Sequence, residues 1–241
     1  MPSILIKNEY TWLCNLKTAI SAYGSYAAIP KEEKSKLISH YRHEDIKAIL
    51  FESSSQKCAF CESKPSESGH IEVEHFKPKS LYPDFTFDWL NFLPCCRKCN
   101  GNKLDHDTVS DPILNPYDTD PNDAFTYSDI RITEISGGLE GIAKKTIEIC
   151  GLNGARLMRP RADILINLYG FSDSIDEAIN DYNHAGTDVK RRNRIRKINQ
   201  ALEQVELLTA KSEKYSGFCK DFLSNCESYQ KAKKIVESVA A

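Results

Sequence analysis

Cys58-Ala-Phe-Cys61 and Cys96-Arg-Lys-Cys99 are the two stretches whose reading decides the fold. Each is a CxxC knuckle able to turn two thiolates towards one ion, and two knuckles together complete a tetrahedral shell of four sulfurs. Such a shell leaves no open position. A zinc ion in it would therefore be structural, tying the ends of the enclosed segment together without activating water. Cys95 directly precedes Cys96, but only Cys96 with Cys99 repeats the two-residue gap of the first knuckle. The expected ligands are Cys58, Cys61, Cys96 and Cys99, with Cys95 as the alternative to Cys96. Five of the nine cysteines fall between positions 58 and 99, while Cys14, Cys150, Cys219 and Cys226 are scattered. That odd, clustered set suits a metal site in a reducing compartment better than a disulfide framework.

Outward from the knuckles the chain reads as helix. Residues 9 to 29 and 31 to 52 carry helical patterns, the second opening at Pro30 and ending near Ser53-Ser54-Ser55. Between 58 and 106 short apolar runs are broken by Pro65, Gly69, Pro78, Pro83, Pro94 and Gly101, leaving room for short strands only. Residues 107 to 140 read as an irregular wrap with a hairpin around 125 to 136. Ala143, Ile147 and Cys150 share a helix face before Gly151, a C-terminal cap by position. The clearest helix starts near Asp188, with Ile195, Ile198, Leu202, Val205 and Leu208 at spacings of three and four, and runs towards Gly217; a last helix occupies about 218 to 239. The expected class is α+β and mostly α-helical, divided as 1–54, 55–110 and 111–241, with one metal-stapled insert in a helical scaffold.

The insert holds Ile71-Glu72-Val73-Glu74-His75-Phe76-Lys77-Pro78-Lys79, then Asp88-Trp89-Leu90-Asn91, then Cys99-Asn100-Gly101-Asn102-Lys103. Asn91 follows His75 by 16 positions, and Asn100 follows Asn91 by 9. This order resembles the HNH nuclease superfamily, in which an acid-His pair ends the first strand of a ββα-metal finger, an Asn sits in the loop, and a His or Asn follows on the helix. The resemblance implies that His75 is the general base, that Asn91 orients it, and that Glu74 and Asn100 hold a catalytic Mg²⁺ or Mn²⁺. Lys103 is expected to contact phosphate. The chemistry suits the residue types: an imidazole titrating near neutrality can take a proton from water, and Mg²⁺ prefers hard oxygen ligands. Neighbouring side chains on a strand point to opposite faces, so Glu74 and His75 serve one site only if the chain bends there. Glu72, two residues before Glu74, competes for the metal. His70 and His106 stay unassigned.

More narrowly, CAFC, IEVEHFKPKS, FDWLNFLPCCRKCNGNK, Asp111-Pro112, Asn115-Pro116 and KKTIEICGLN with Leu157 and Arg161 resemble the PtuB family. These are the HNH subunits of Septu-type anti-phage systems, with relatives that accompany some retrons. That resemblance covers about residues 55 to 165 and implies a DNA-cutting defence nuclease in a hetero-oligomer with an ABC-type ATPase. The alternatives are a stand-alone restriction-type nuclease and a zinc-finger binding module that does not cut. At a formal net charge of −2 the chain has no global pull towards nucleic acid, so binding has to come from a local patch or a partner. Lys77, Lys79, Arg97, Lys98 and Lys103 supply part of one; a second run, Lys190-Arg191-Arg192 with Arg194, Arg196 and Lys197, faces either solvent or an anionic partner. With no long apolar run and no signal-peptide pattern at the start, a cytoplasmic protein without membrane contact is expected.

Overall fold

The computed structural model describes residues 1–64 and 71–240. Helix dominates, with two small antiparallel sheets among those residues. The chain divides into two compact units, Met1–Ala124 with Glu134–Leu152, and Phe125–Thr133 with Asn153–Ala241.

The first unit opens with α1 (Ser3–Tyr23), α2 (Lys31–Ile38) and α3 (Glu44–Ser53). The helix expected from residue 9 starts at Ser3, just after Pro2, and stops where Gly24 turns left-handed at φ 83°, a conformation glycine enters without a Cβ penalty. The helix expected over 31–52 is two helices. A 3₁₀ turn at Ser39–Arg42 interrupts it, and His43 restarts it by accepting the Asp45 amide at Nδ1, 3.2 Å away. The reason is local: His43 is extended and offers a side-chain cap, which competes with continuing the helix.

Leu5, Leu16 and Ala19 of α1, Ile38, Tyr41, and Ile46 and Leu50 of α3 form one core with Val73, Phe87 and Phe92 from the knuckle segment. Each large side chain buried this way contributes about 1.5–3 kcal/mol. The proline-broken segment has little apolar mass of its own, so the N-terminal helices complete its core. Within it, β1 (Ile71–His75) pairs antiparallel with β2 (Phe92–Cys96), and α4 (Arg97–Lys103) follows directly. Next comes α5 (Glu140–Cys150), and Gly151 caps it at φ 63°. A Cβ there would come within 2.4 Å of Asn102 Nδ2, the atom that donates to the Cys150 carbonyl at 3.1 Å. Glycine at 151 thus suits the left-handed backbone angle, and a side chain there would displace the Asn102 amide from the Cys150 carbonyl.

The second unit contains the hairpin β3 (Phe125–Ser128) and β4 (Arg131–Glu134), α6 (Ala155–Asn183), α7 (Asp188–Glu206), α8 (Ser216–Asn225) and α9 (Glu227–Ala240). The Asn153 side chain bonds both the amide and the carbonyl of Ile132 at 2.9 Å, tying the strand to the start of the helical part. Ile198, Leu202 and Val205 are the buried stripe of α7, as their spacing indicates. The helix expected to run on towards Gly217 ends at Glu206 in a 3₁₀ turn. Among the described residues no helix is long and apolar enough to cross a membrane.

Candidate metal centre and acid–histidine site

The first knuckle is a tight turn: Glu62 N donates to Cys58 O and Cys58 N to Ser63 O, both at 3.0 Å, while Ala59 N reaches Pro94 O at 2.8 Å. That last bond docks the knuckle on β2. Cys96 ends β2 and caps α4, its Sγ accepting from Cys99 N at 3.4 Å. The sulfur atoms of Cys58, Cys61, Cys96 and Cys99 all lie within 4.8 Å of one another, and all four residues are buried. Cys61 Sγ and Cys96 Sγ are 3.9 Å apart, close to the roughly 3.8 Å edge of a tetrahedron with zinc–sulfur bonds of about 2.3 Å. The four cysteines fit a metal ion such as zinc. Cys95 is outside the set: strand alternation turns it away from Cys96, and its thiol donates to the Cys96 carbonyl at 3.5 Å.

Burial pushes the Cys58 thiol up, but hydrogen bonds from Cys61, Cys95, Cys96 and Cys99 outweigh it and hold it well below the ordinary thiol value. Cys99 moves the other way, raised by its bonds to Cys58, Cys61, Cys95 and Cys96 and by burial. Four thiols this close cannot all ionise alone, and a cation held between them would supply the missing charge.

The register of β1 and β2 is regular through its end, with Ile71 opposite Cys96 and His75 opposite Phe92. The bend that would bring Glu74 and His75 to one face does not occur within the strand. Glu72 and Glu74 face α4, where Asn100 and Lys103 stand one turn apart. Asn100 Nδ2 donates to Glu72 Oε2 at 2.7 Å, and Lys103 Nζ donates to Glu74 Oε1 at 2.7 Å and to His75 O at 3.0 Å. Lys103 is 2% exposed. Burial pushes the Glu74 carboxyl up, against the pull of the Lys103 ammonium.

His75 points the other way, into the core shared with the N-terminal helices. Its ring stands edge-on to Tyr41 and Phe92, with centroids 4.6 and 5.2 Å away. Its Nε2 is 2.9 Å from the Thr86 carbonyl. A carbonyl only accepts, so Nε2 carries the proton and the Nδ1 lone pair is left as the basic atom. Burial, with help from the Lys79 ammonium and against the Thr86 bond, holds the imidazole down to about 3. Asn91 pins the loop between the strands: its Oδ1 accepts Lys77 N at 2.7 Å, and its Nδ2 donates to Lys77 O at 3.1 Å and Phe85 O at 3.0 Å.

At the pair expected to hold a divalent ion, Glu74 Oε1 accepts from the Lys103 ammonium and Asn100 donates through Nδ2 to Glu72. His106 bonds the Asp111 carbonyl at 2.8 Å and so fastens a loop. His70 lies outside the described residues. Sequence reasoning missed Thr86, whose contribution is a backbone carbonyl with no residue signature, and Tyr41, which arrives from a distant helical region.

The low value of His75 has a consequence for stability. An unfolded histidine titrates near 6.5, so below that pH the unfolded chain takes up a proton that the folded chain refuses. The stability this site contributes is fully present above about pH 6.5 and is lost as pH falls towards 3, at roughly 1.4 kcal/mol per pH unit for one proton. Urea melts between pH 7 and 4 should show this slope in the wild type and a shallower one in His75→Leu; equal slopes would reject it.

No family model matches the chain. It is 32% identical over 197 residues to the Septu protein PtuB of Bacillus thuringiensis, a match covering 79% of this chain and 73% of that protein. It is 25% identical over 154 residues to the Septu protein PtuB of Bacillus mycoides (strain KBAB4), covering 52% of each. With about a third of its residues shared across nearly three quarters of the first of these relatives, the chain belongs to the Septu PtuB family.

Proposed function

We propose that this chain is an HNH-type endonuclease and the nuclease component of a Septu anti-phage system. The observation that carries the reading is His75: a neutral imidazole at the end of β1, held in one tautomer by Thr86 O, within a strand–strand–helix segment that four cysteines can staple. Hydrolysing a phosphodiester needs a base for the attacking water; positioned bases contribute on the order of 10²–10⁴-fold when they titrate near the working pH, so the burial that holds this imidazole at about 3 has to be relieved when substrate arrives. In this reading Nδ1 takes the proton. Asn91 fixes the loop that carries Thr86, and therefore fixes the ring. Lys77 and Lys79, just after the strand, supply positive charge for the phosphate. His75 is only 3% exposed, so substrate arrival has to come with local rearrangement around the ring. DNA as substrate and an ABC-type ATPase as partner follow from the family resemblance and belong to the same proposal. The family's Mg²⁺ or Mn²⁺ requirement belongs to it too, tested below and not routed through Glu74.

One observation favours a second reading. Lys103 occupies Glu74, as suits a metal-stapled binding module that has no need of a hard-metal site. Plasmid cleavage separates the two. Purified wild type and His75→Ala are assayed with Mg²⁺, Mn²⁺ or EDTA, alone and with the co-encoded ATPase. The nuclease reading expects cutting that depends on the divalent ion and falls at least 100-fold in the variant. A folded, zinc-loaded wild type that cuts nothing in any condition leaves the binding module.

A further inference from the structure

The run Lys190 to Lys197 places six cations and no acid on the first turns of α7. The whole chain carries net −2; without these six positive charges the rest carries −8. Positive charge is thus concentrated at one helix end on an acidic body, an arrangement that orients the molecule towards an anion at long range. Folding accounts for only two of the six. The first buried residue of α7 is Ile198, beyond the run, and Lys190 stands in the first turn, where the helix macrodipole disfavours a cation.

Two of the six are engaged locally. Arg194 binds Asp181 through both its carboxylate and its carbonyl, and Arg191 lies over the Tyr182 ring. Lys190, Arg192, Arg196 and Lys197 are exposed and have no acidic partner among the described residues. At about 100° per residue, Lys190 and Lys197 fall within about 20° of each other and Arg192 and Arg196 within about 40°, while members of the two pairs stand about 100–160° apart around the axis. Both pairs clear the buried Ile198–Leu202–Val205 stripe. A helix about 10–12 Å across that carries cations on two flanks matches the roughly 12 Å major groove of B-form DNA, with phosphates on both walls. A protein partner fits less well, because stable protein interfaces need an apolar core and Val189 is the one exposed large hydrophobic residue between Asp188 and Lys197.

We propose that the N-terminal turns of α7 are a double-stranded DNA-binding surface, with Lys190, Arg192, Arg196 and Lys197 contacting backbone phosphates. The inference rests on the nuclease reading for its substrate class, and its test is independent of cleavage. Binding of a labelled 20-base-pair DNA duplex is measured by fluorescence anisotropy in EDTA from 50 to 200 mM salt. The variants change all four residues to Gln, which keeps helix propensity, or change the exposed Lys7, Lys31, Lys211 and Lys234 to Gln as a control of equal charge. Thermal melts confirm that both fold.

The α7 variant should bind at least tenfold more weakly at 50 mM salt. The slope of its log affinity against log salt should be shallower by about three to four, since each lost phosphate contact removes nearly one unit. The control variant should keep the wild-type slope. An unchanged α7 variant, an equal loss in the control, or a wild type that does not bind DNA at 50 mM salt overturns the proposal. Equal dependence on these residues for an A-form RNA duplex overturns the assignment to DNA. Loss of binding in the α7 variant of a protein that never cuts would sustain this surface while the nuclease reading fails.

Discussion

Cys99→Ala is expected to strip the metal from the chain and unfold the segment that carries His75. Cys99 is fully buried and shares its cluster with three other thiols. Its loss leaves three ligands and a cavity at the start of α4. Structural zinc binding is worth on the order of 10 kcal/mol to a small site of this kind, more than a typical domain's margin of about 5–15 kcal/mol can spare comfortably. Elemental analysis should read about one zinc per wild-type chain and close to none in the variant, with loss of a cooperative thermal transition for the first unit. Cys95→Ala is the contrast. Its sulfur borders Cys58 and Cys99 and donates to the Cys96 carbonyl but is not one of the four that surround the metal position, so zinc content should be unchanged and the stability cost limited to a small cavity. If Cys95→Ala loses zinc and Cys96→Ala keeps it, the ligand assignment is wrong.

The second large effect is expected at Lys103. Its ammonium is enclosed between the Glu74 carboxylate and the His75 carbonyl, so Lys103→Met leaves a buried carboxyl without its counter-charge. Breaking a buried pair from one side costs about 3–5 kcal/mol, because the remaining charge is neither solvated nor matched. Burial already raises Glu74, and with Lys103 gone only the smaller pull of the Lys79 ammonium and a backbone bond at His75 oppose that. The folded carboxyl then titrates above its unfolded value, so the damage is greatest at neutral pH and is relieved as pH falls and the group takes up a proton. Replacing both partners, Glu74→Leu with Lys103→Met, should recover much of the loss, since apolar groups of similar size tolerate the interior that an unpaired charge does not. Melts of the four proteins at pH 5 and 7.5 test this; strictly additive losses would show that the pair is not coupled.

The same pair explains how much of the site was legible in advance. Two-residue gaps between cysteines are local, and a knuckle forms within four consecutive residues, so the ligand set could be read from spacing. Strand alternation, also local, puts Glu72 and Glu74 on one face and His75 on the other. The partners of those acids were not legible. Asn100 meets Glu72, and Lys103 meets Glu74, because α4 crosses β1 at a particular offset fixed by the Cys96 cap, the β1–β2 register and the docking of α4 on the end of α5. A shift of one turn along that helix would exchange the pairs without changing any local preference. Tyr41 against His75 has the same origin, since it depends on the apolar faces of α1 and α3 closing over Phe87 and Phe92.

By itself, then, the sequence determined the features whose physics acts over a few neighbouring residues: the cysteine knuckles, the order of acid, histidine and asparagines, the mostly helical class, and the cap at Gly151. Only the tertiary structure decided that Lys103 fills the place beside Glu74, that Thr86 selects the tautomer of His75, and that the N-terminal helices bury the ring. Those contacts join residues far apart in the chain, and their partners are selected by which apolar surfaces can be removed from water together, a property of the whole packed unit.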